Sequence, residues 1–132
     1  MSTGVLAGKR GLIMGVANDK SIAWGIAQSA AREGAELAFS YQGEVLEKRV
    51  RPLAEKVGAD MLTCDVTDDA SIDALFDTLE EKWGKLDFVV HAIGFSNKDE
   101  LKGEYLNTSR ENFALTMDIS VYSFTAVAQR AA

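Results

Sequence analysis

Short apolar runs alternate with stretches of helical periodicity along this chain. The first run, RGLIMG, ends at Gly15, and from Ser21 onward apolar residues recur at helical spacing. Ser21 suits the N-cap of this helix, and Gly34 suits the position just past its end. The pattern predicts a buried strand, a loop and a helix. The apolar face of this helix is predicted to comprise Ile22, Ile26, Ala27, Ala30 and Ala31.

The same order of elements occurs twice more. The strand-like run AELAFSY precedes an apolar stripe that ends at Gly58, and DMLTCDV precedes a stripe closed by Gly84. Pro52 is expected to kink or restart the first of these two helices. The first stripe comprises Val45, Leu46, Val50, Leu53 and Val57, and the second comprises Ile72, Leu75, Phe76, Leu79 and Trp83.

A fourth apolar run, LDFVVHAIG, is followed by a polar loop that extends to about Thr108. Thr108 and Glu111 have the spacing of a capping box and predict the start of a long helix. No capping glycine or proline follows its last residues, AVAQRAA, so the chain is expected to end inside this helix. One face of the helix is predicted to carry Phe113, Met117, Ser120, Phe124 and Val127.

Four strands that alternate with three helices predict an α/β fold, the first half of a Rossmann-type doubly wound parallel sheet. In such a sheet the ligand crevice lies at the carboxyl ends of the strands. The fourth strand would normally pair with a fifth, so we expect an exposed apolar edge and poor solubility of this chain alone. The predicted strand ends are Gly15, Tyr41–Gln42, Asp65–Val66 and Ile93–Gly94.

Composition narrows the class of partner. The 132 residues are 47% hydrophobic, which suits one globular domain, and the net charge of -6 opposes binding to nucleic acid or to an anionic membrane. The single cysteine, Cys64, cannot form an internal disulfide and is expected to be a small buried residue. With no cysteine cluster, no metal site is predicted, and a reducing cytoplasm is the expected location. No stretch is long enough to predict a membrane span.

The segment GLIMGVANDKSIAWG has features of a phosphate-binding turn. Gly15 would let a phosphate approach the backbone, and the helix that opens at Ser21 would offer amide donors. The spacing differs from G-x-G-x-x-G, because Ser21 and Ala23 stand where later glycines are expected. On this segment alone, a plain strand-to-helix loop is an equal alternative.

Taken with SIAWGIA, REGAELAFSYQ, CDVTDDASID, HAIGF and DISVYSF, this G-x5-S-x-A spacing resembles the divergent branch of the short-chain dehydrogenase/reductase superfamily, the bacterial enoyl-[acyl-carrier-protein] reductases. The resemblance runs through the whole chain but covers only about the first half of such an enzyme. It implies that residues 1–132 are the N-terminal part of a single dinucleotide-binding domain. For the complete enzyme it implies NADH-dependent reduction of a trans-2-enoyl-acyl-carrier-protein in fatty-acid synthesis by a cytoplasmic homotetramer.

The resemblance also implies a role for each strand end. Residues that would contact the cofactor pyrophosphate are Gly15, Ser21 and Ile22; Gln42 would meet the adenosine. Asp65 would accept a bond from the adenine amino group, although it could instead cap a turn before the next helix. Because Gln42 carries no charge, residue chemistry alone leaves NADH and NADPH open.

The remaining implied contacts lie beside the reacting end of the cofactor and on the adenine. Asp68 and Asp69 are interpreted as favourable helix-terminus charges instead of an acid-base pair. Val66 would pack on the adenine. The nicotinamide ribose would lie beside Ala92, Ile93 and Gly94. Phe95 and Ser96 would border the substrate.

No catalytic residue is assigned within this chain. The resembled enzymes use a tyrosine and a lysine in the pattern Tyr-x6-Lys, and the one match here, Tyr41 with Lys48, would lie at the adenosine end. We therefore expect the pair beyond Ala132 and no activity from this chain alone. His91 is interpreted as a core residue and not as a catalytic base.

Two other functions remain open. The first is a non-catalytic regulatory module that binds NAD on the same fold. The second is a methyltransferase of similar topology, which would place an acid at the end of the second strand for its cofactor's ribose. Gln42 opposes that alternative, whereas the nearby Glu44 keeps it open.

Overall fold

The computed structural model describes residues 4–132. Two 3₁₀ helices, Lys98–Glu100 and Tyr105–Asn107, follow the last strand, and a π-helical segment, Asp118–Tyr122, joins the last two α-helices. The strands are β1 (Arg10–Met14), β2 (Glu36–Tyr41), β3 (Asp60–Thr63) and β4 (Phe88–His91). The α-helices are α1 (Ile22–Arg32), α2 (Glu44–Val57), α3 (Asp69–Trp83), α4 (Arg110–Met117) and α5 (Ser123–Ala131).

The four strands form one parallel sheet in the order β3-β2-β1-β4. The chain winds outward from β1 to β3 and then crosses over β2 and β1 to place β4 on the other side. Leu12 of β1 pairs with Ala38 of β2 and Val89 of β4. This arrangement confirms the predicted first half of a doubly wound sheet.

Alternate side chains of β1 enter two separate cores. Ile13 packs with α1 and α2, whereas Leu12 and Met14 pack with α3 and α5. All three side chains are fully buried, as the period-2 geometry of a strand between two helix layers requires. In the first core, Trp24 contacts Phe39 edge to face, with ring centroids 6.4 Å apart.

The predicted apolar faces of α1 and α2 need correction in the first half of each helix. Ile22 is 80% exposed and Ile26 is 38% exposed, and Val45 is also exposed. In α1 the close contact with the sheet is made by small side chains and Trp24, so the core face is Ala23, Trp24, Ala27 and Ala30.

Two predictions about α2 and α3 have different outcomes. Helix α2 runs unbroken through Pro52, so the predicted restart is wrong; Val50, Leu53 and Ala54 on either side of the proline are buried and hold the helix on the sheet. Helix α3 has the predicted face, with Ile72, Leu75, Leu79 and Trp83 buried, and it ends at Gly84.

The start of the last helix lies one residue later than the predicted capping box. Ser109, not Thr108, is the N-cap, and its Oγ accepts a bond from Asn112 N at 3.0 Å. The Glu100 carboxylate accepts bonds from both Ser109 N and Ser109 Oγ, which lowers the pKa of Glu100. The reciprocal carboxylate therefore comes from the 3₁₀ helix Lys98–Glu100 instead of Glu111.

The predicted apolar face of this helix is also largely wrong. Phe113, Met117 and Phe124 are exposed, whereas Val127 is buried as expected. The inward positions are small or polar, namely Asn112, Ser123 and Ala126. Asn112 accepts from the backbone of Asn97, Ser123 bonds to His91, and Ala126 packs in the second core.

Strand β4 is an edge strand in this chain. Its residues Phe88, Val89 and Val90 are only partly buried. An open apolar groove lies beside it, between β4 and α1, and Ile22, Ile26 and Phe88 contribute to its walls. The predicted exposed apolar edge is confirmed.

Candidate functional site

A cleft of about 380 Å³ lies over the carboxyl ends of all four strands. The carboxyl ends of parallel strands lie on the same side of a sheet. The winding direction reverses between β1 and β4, and both of these strands end at the cleft. The structure brings eight of the eleven predicted site residues to its walls. They are Gly15, Gln42, Asp65, Val66, Ala92, Ile93, Gly94 and Phe95.

Gly15 is required by the fold itself. Its φ is +111°, and a Cβ atom at this position would lie 2.1 Å from the carbonyl oxygen of Ala92. The end of β1 therefore packs directly on the end of β4, and the bond from Ala92 N to Met14 O continues the pairing by one residue. Gly15 forms the floor of the cleft, and the fold requires a glycine here whether or not a ligand binds.

Ser21 closes the loop that joins β1 to α1. Its Oγ accepts bonds from Ala17 N at 3.0 Å and Asn18 N at 3.1 Å, and this leaves the hydroxyl proton available to a ligand. The side chain does not cap α1, although Ser21 is the N-cap residue. An anion at this end of α1 would meet uncapped amide donors.

Two of the predicted pyrophosphate residues lie outside the walls of the cleft. Ser21 belongs to the adjoining loop, and the Ile22 side chain faces the apolar groove beside β4. Because Ile22 is the first residue of α1, a contact with phosphate would come from its backbone N–H.

Asp65 has the turn-capping role, one of the two that the sequence left open. Its Oδ1 accepts bonds from Thr67 N at 2.9 Å and Thr67 Oγ1 at 2.7 Å, so the carboxylate holds the turn before α3. Asp65 N in turn donates to Ser71 Oγ at 2.8 Å. Within residues 4–132 every bond found for the carboxylate goes to Oδ1, so Oδ2 can accept from a ligand.

The other side chains at this end of the cleft are uncharged. Gln42 is exposed just past β2, and Val66 is half-buried against the second core. Cys64 is buried as predicted, and burial raises the pKa of its thiol.

Asp68 caps α3 by accepting from Ala70 N at 3.0 Å, which supports its interpretation as a helix-terminus charge.

His91 is a satisfied, partly buried residue at the end of β4. Its Nε2 lies 2.7 Å from Ser123 Oγ, and its ring contacts Phe124 edge to face at 5.5 Å. Ser123 Oγ donates to Ile119 O, so it accepts its bond from a protonated Nε2 of neutral His91. Burial lowers the pKa of His91, in agreement with its predicted place in the core.

A row of polar side chains holds the loop that follows β4. Ser120 Oγ accepts from Phe95 N at 3.0 Å and also donates to Phe95 O at 3.2 Å. We call this row the polar seam; it consists of Asn112, Thr116, Ser120 and Ser123.

The remaining contacts of the polar seam involve Ser96 and Asn97. Asn112 Oδ1 accepts from Asn97 N at 2.9 Å, while Asn112 Nδ2 and Thr116 Oγ1 both donate to Ser96 Oγ. Ser96 therefore points at the helix, outside the cleft walls. The sequence interpretation missed this row, although small polar residues at positions 112, 116, 120 and 123 have helical spacing.

These features define a class of protein. A glycine-ended first strand, a helix whose first amides are uncapped and a cleft at the switch point of a parallel sheet are the parts of a Rossmann-type dinucleotide-binding fold.

Comparison with known proteins identifies the family. The model of the family described as enoyl-(acyl carrier protein) reductase matches residues 15–132. A curated relative, enoyl-[acyl-carrier-protein] reductase [NADH] 1 of Rhizobium meliloti, is 68% identical over 131 residues, which cover 98% of this chain and 48% of the relative. The chain belongs to the enoyl-(acyl carrier protein) reductase family, and it spans about half the length of the curated relatives it matches.

Solved structures agree with this assignment. FabI from Candidatus Liberibacter asiaticus is 57% identical, with a TM-score of 0.95 over 99% of this chain and 51% of its own. The reductase from Anaplasma phagocytophilum, solved in complex with NAD, is 54% identical, with a TM-score of 0.93 and the same coverage. At this identity the likeness extends beyond the fold to the family.

Two other features are absent from the part of the chain that the structure describes. Among residues 4–132, no group of three or more His, Cys, Asp or Glu side chains is placed to hold a metal ion. Across the same residues, no helix has both the length and the apolar character needed to cross a membrane.

Replacing Gly15 with alanine should destabilise the fold without any ligand present. The strained φ alone costs about 1–3 kcal/mol, and the overlap with the Ala92 carbonyl adds to it. Gly25→Ala is the matched control, because a Cβ there meets nothing within 4 Å inside α1, and alanine should stabilise the helix by about 1 kcal/mol. Urea unfolding of the complete protein without ligand measures both changes, and equal stability of the two variants would refute this role of Gly15.

Acid should destabilise the protein partly through His91. Its folded pKa is below the ordinary 6.5, so the neutral form is favoured in the fold and this stability is present above pH 6.5. As the pH falls below 6.5, the unfolded chain takes up the proton first and stability is lost. Thermal unfolding between about pH 7.5 and about pH 5.5 should show a smaller loss for His91→Gln than for the wild type. Identical pH slopes would contradict the lowered pKa.

Proposed function

We propose that this chain is the N-terminal half of an NADH-dependent enoyl-[acyl-carrier-protein] reductase, and that its cleft holds the cofactor. The observation that carries the proposal is the convergence of four separate strand ends on one cleft, with the glycine of β1 at its floor. The curated relative from Rhizobium meliloti is an NADH enoyl reductase, and the Anaplasma phagocytophilum structure contains NAD. Both support this cofactor.

The residues present suit an extended dinucleotide. At one end of the cleft, Asp65 Oδ2 would accept from the adenine amino group, Val66 would pack on the ring, and Gln42 would meet the adenosine ribose. In the middle, the pyrophosphate would lie over Gly15 and accept from the Ser21 hydroxyl and the Ile22 N–H. Electrostatics favours this position, because the N-terminus of α1 carries partial positive charge.

The other end of the cleft would hold the reacting groups. The backbone of Ala92, Ile93 and Gly94 would run beside the nicotinamide ribose, and Phe95, which is 49% exposed, would border the acyl substrate. Ser96 would contribute through the shape of the loop, because its hydroxyl is bonded to Asn112 and Thr116.

The bound cofactor would supply a hydride to the β-carbon of a trans-2-enoyl thioester. The tyrosine and lysine expected to stabilise the resulting enolate and hold the ribose are not assigned in this chain. Tyr41 and Lys48 lie on β2 and α2, and Tyr41 lines the adenosine end of the cleft, so they do not suit that role. This chain would orient the cofactor, and the pair in the other half of the protein would complete the reaction.

Assembly and location follow the same proposal. The helical segment from α4 to α5 exposes Phe113, Met117, Val121 and Phe124, a surface suited to burial between copies of the chain. We infer a homotetramer that acts in the cytoplasm on enoyl groups carried by acyl carrier protein.

Cofactor binding and turnover by the complete protein test the proposal. We expect saturable binding of NADH and loss of NADH absorbance when an enoyl-acyl-carrier-protein is added. NADH binding with no turnover of any enoyl thioester would favour the non-catalytic regulatory module. Saturable binding of S-adenosylmethionine in place of NADH would favour the methyltransferase.

Gln42 should contribute to the choice between NADH and NADPH. Gln42→Arg places a guanidinium beside the adenosine ribose, where it can pair with a 2′-phosphate, so NADPH affinity should rise about tenfold. Gln28→Arg is the control, because it adds the same charge on the exposed surface of α1. Fluorescence titration with both cofactors measures the ratio, and an equal rise in both variants would show a general charge effect instead of a ribose contact.

A further inference from the structure

The chain leaves the sheet after Ala92, whose N–H makes the last bond to β1, and continues without strand pairing through Asn97. Backbone N–H and C=O groups in such a segment need partners from outside the sheet. Ser120 supplies both partners for Phe95, because one hydroxyl accepts from its N–H and donates to its C=O. The backbone of Phe95 is thereby held in one orientation relative to the helix.

Ser120 lies in the middle of the π-helical segment, Asp118–Tyr122. A π-helical turn is rare, and such turns frequently occur at functional sites. Here the turn lies beside the cleft, since Ile119 is one of its lining residues. Ser120 Oγ is also the nearest atom to the position that a Cβ on Gly94 would take, at 3.7 Å. The hydroxyl therefore bonds to Phe95 and faces the side of Gly94 on which a Cβ would lie.

We propose that Ser120 is a positioning residue for the reacting end of the cofactor. By fixing the backbone of Phe95, it sets the end of the wall along which the nicotinamide ribose lies and the place where the substrate begins. This inference rests on the proposed function, because it takes the Ala92–Phe95 wall to be the nicotinamide end. Ser120 itself acts through Phe95 and need not touch the cofactor.

The polar seam explains why the effect is confined to one end of the cleft. Its bonds run in order along the loop, from Ser123 at His91 through Ser120 at Phe95 to Asn112 at Asn97. None of them reaches Asp65 or Gly15, where the adenine and pyrophosphate would bind. Loss of the Ser120 hydroxyl should therefore loosen the nicotinamide end and leave the adenosine end intact.

The test compares two ligands on the complete protein. NADH occupies the whole proposed site, whereas ADP contains only the adenosine and the pyrophosphate. Ser120→Ala should weaken NADH binding about two- to tenfold, the worth of one or two ordinary hydrogen bonds, and leave ADP binding unchanged. Ser120→Thr keeps the hydroxyl and should restore much of the NADH affinity. Ser29→Ala, an exposed serine on α1, should bind both ligands as the wild type does.

Each result separates this inference from the proposed function. Equal weakening of NADH and ADP by Ser120→Ala would indicate a general structural role and overturn the inference, as would unchanged NADH binding. Unchanged ADP binding by Ser120→Ala also shows that the variant is folded. A wild-type protein that binds neither NADH nor ADP would overturn the proposed function and the inference with it.

Discussion

The parallel pairing of β1 with both β2 and β4 is the constraint on which the rest of the structure depends. It places the ends of all four strands at one edge, and it makes β1 the point from which the chain winds in two directions. Gly15 makes this possible locally, because only a residue without a side chain fits against the Ala92 carbonyl. The cleft is thus a consequence of how the sheet is assembled.

The two sides of the cleft are held by different means. On the adenosine side, short turns close on themselves: Ser21 holds the loop before α1, and Asp65 holds the turn before α3. On the other side, the end of β4 and the loop after it are held by the polar seam, whose side chains lie fifteen to thirty-two residues later in the chain. In the helical segment from α4 to α5, the polar residues that hold this loop face inward, and Phe113, Met117 and Phe124 are exposed.

The sequence predicted the elements well because they depend on local signals, although β3 and β4 end at Thr63 and His91, two residues before the predicted ends. Apolar runs, helix stripes and terminal glycines determine β1 to β4 and α1 to α3, and the strand ends follow from the topology. The errors arise where a tertiary contact decides. Ile22 and Ile26 have helical spacing but lie beside the edge strand, and Ser109 replaces Thr108 as the cap because Glu100 reaches it from another element. Ser120 was predicted on one face of the last helix, but its contact with Phe95 could not be recognised, since backbone groups carry no sequence signal.

The orientation of the cofactor tests the central claim most directly. A crystal structure of the complete protein with NADH should place the adenine between Asp65 and Val66, the pyrophosphate over Gly15 at the start of α1, and the nicotinamide ribose beside Ile93 and Gly94. A cofactor bound in the reverse direction, with its nicotinamide at Asp65, or bound outside the cleft would contradict this account.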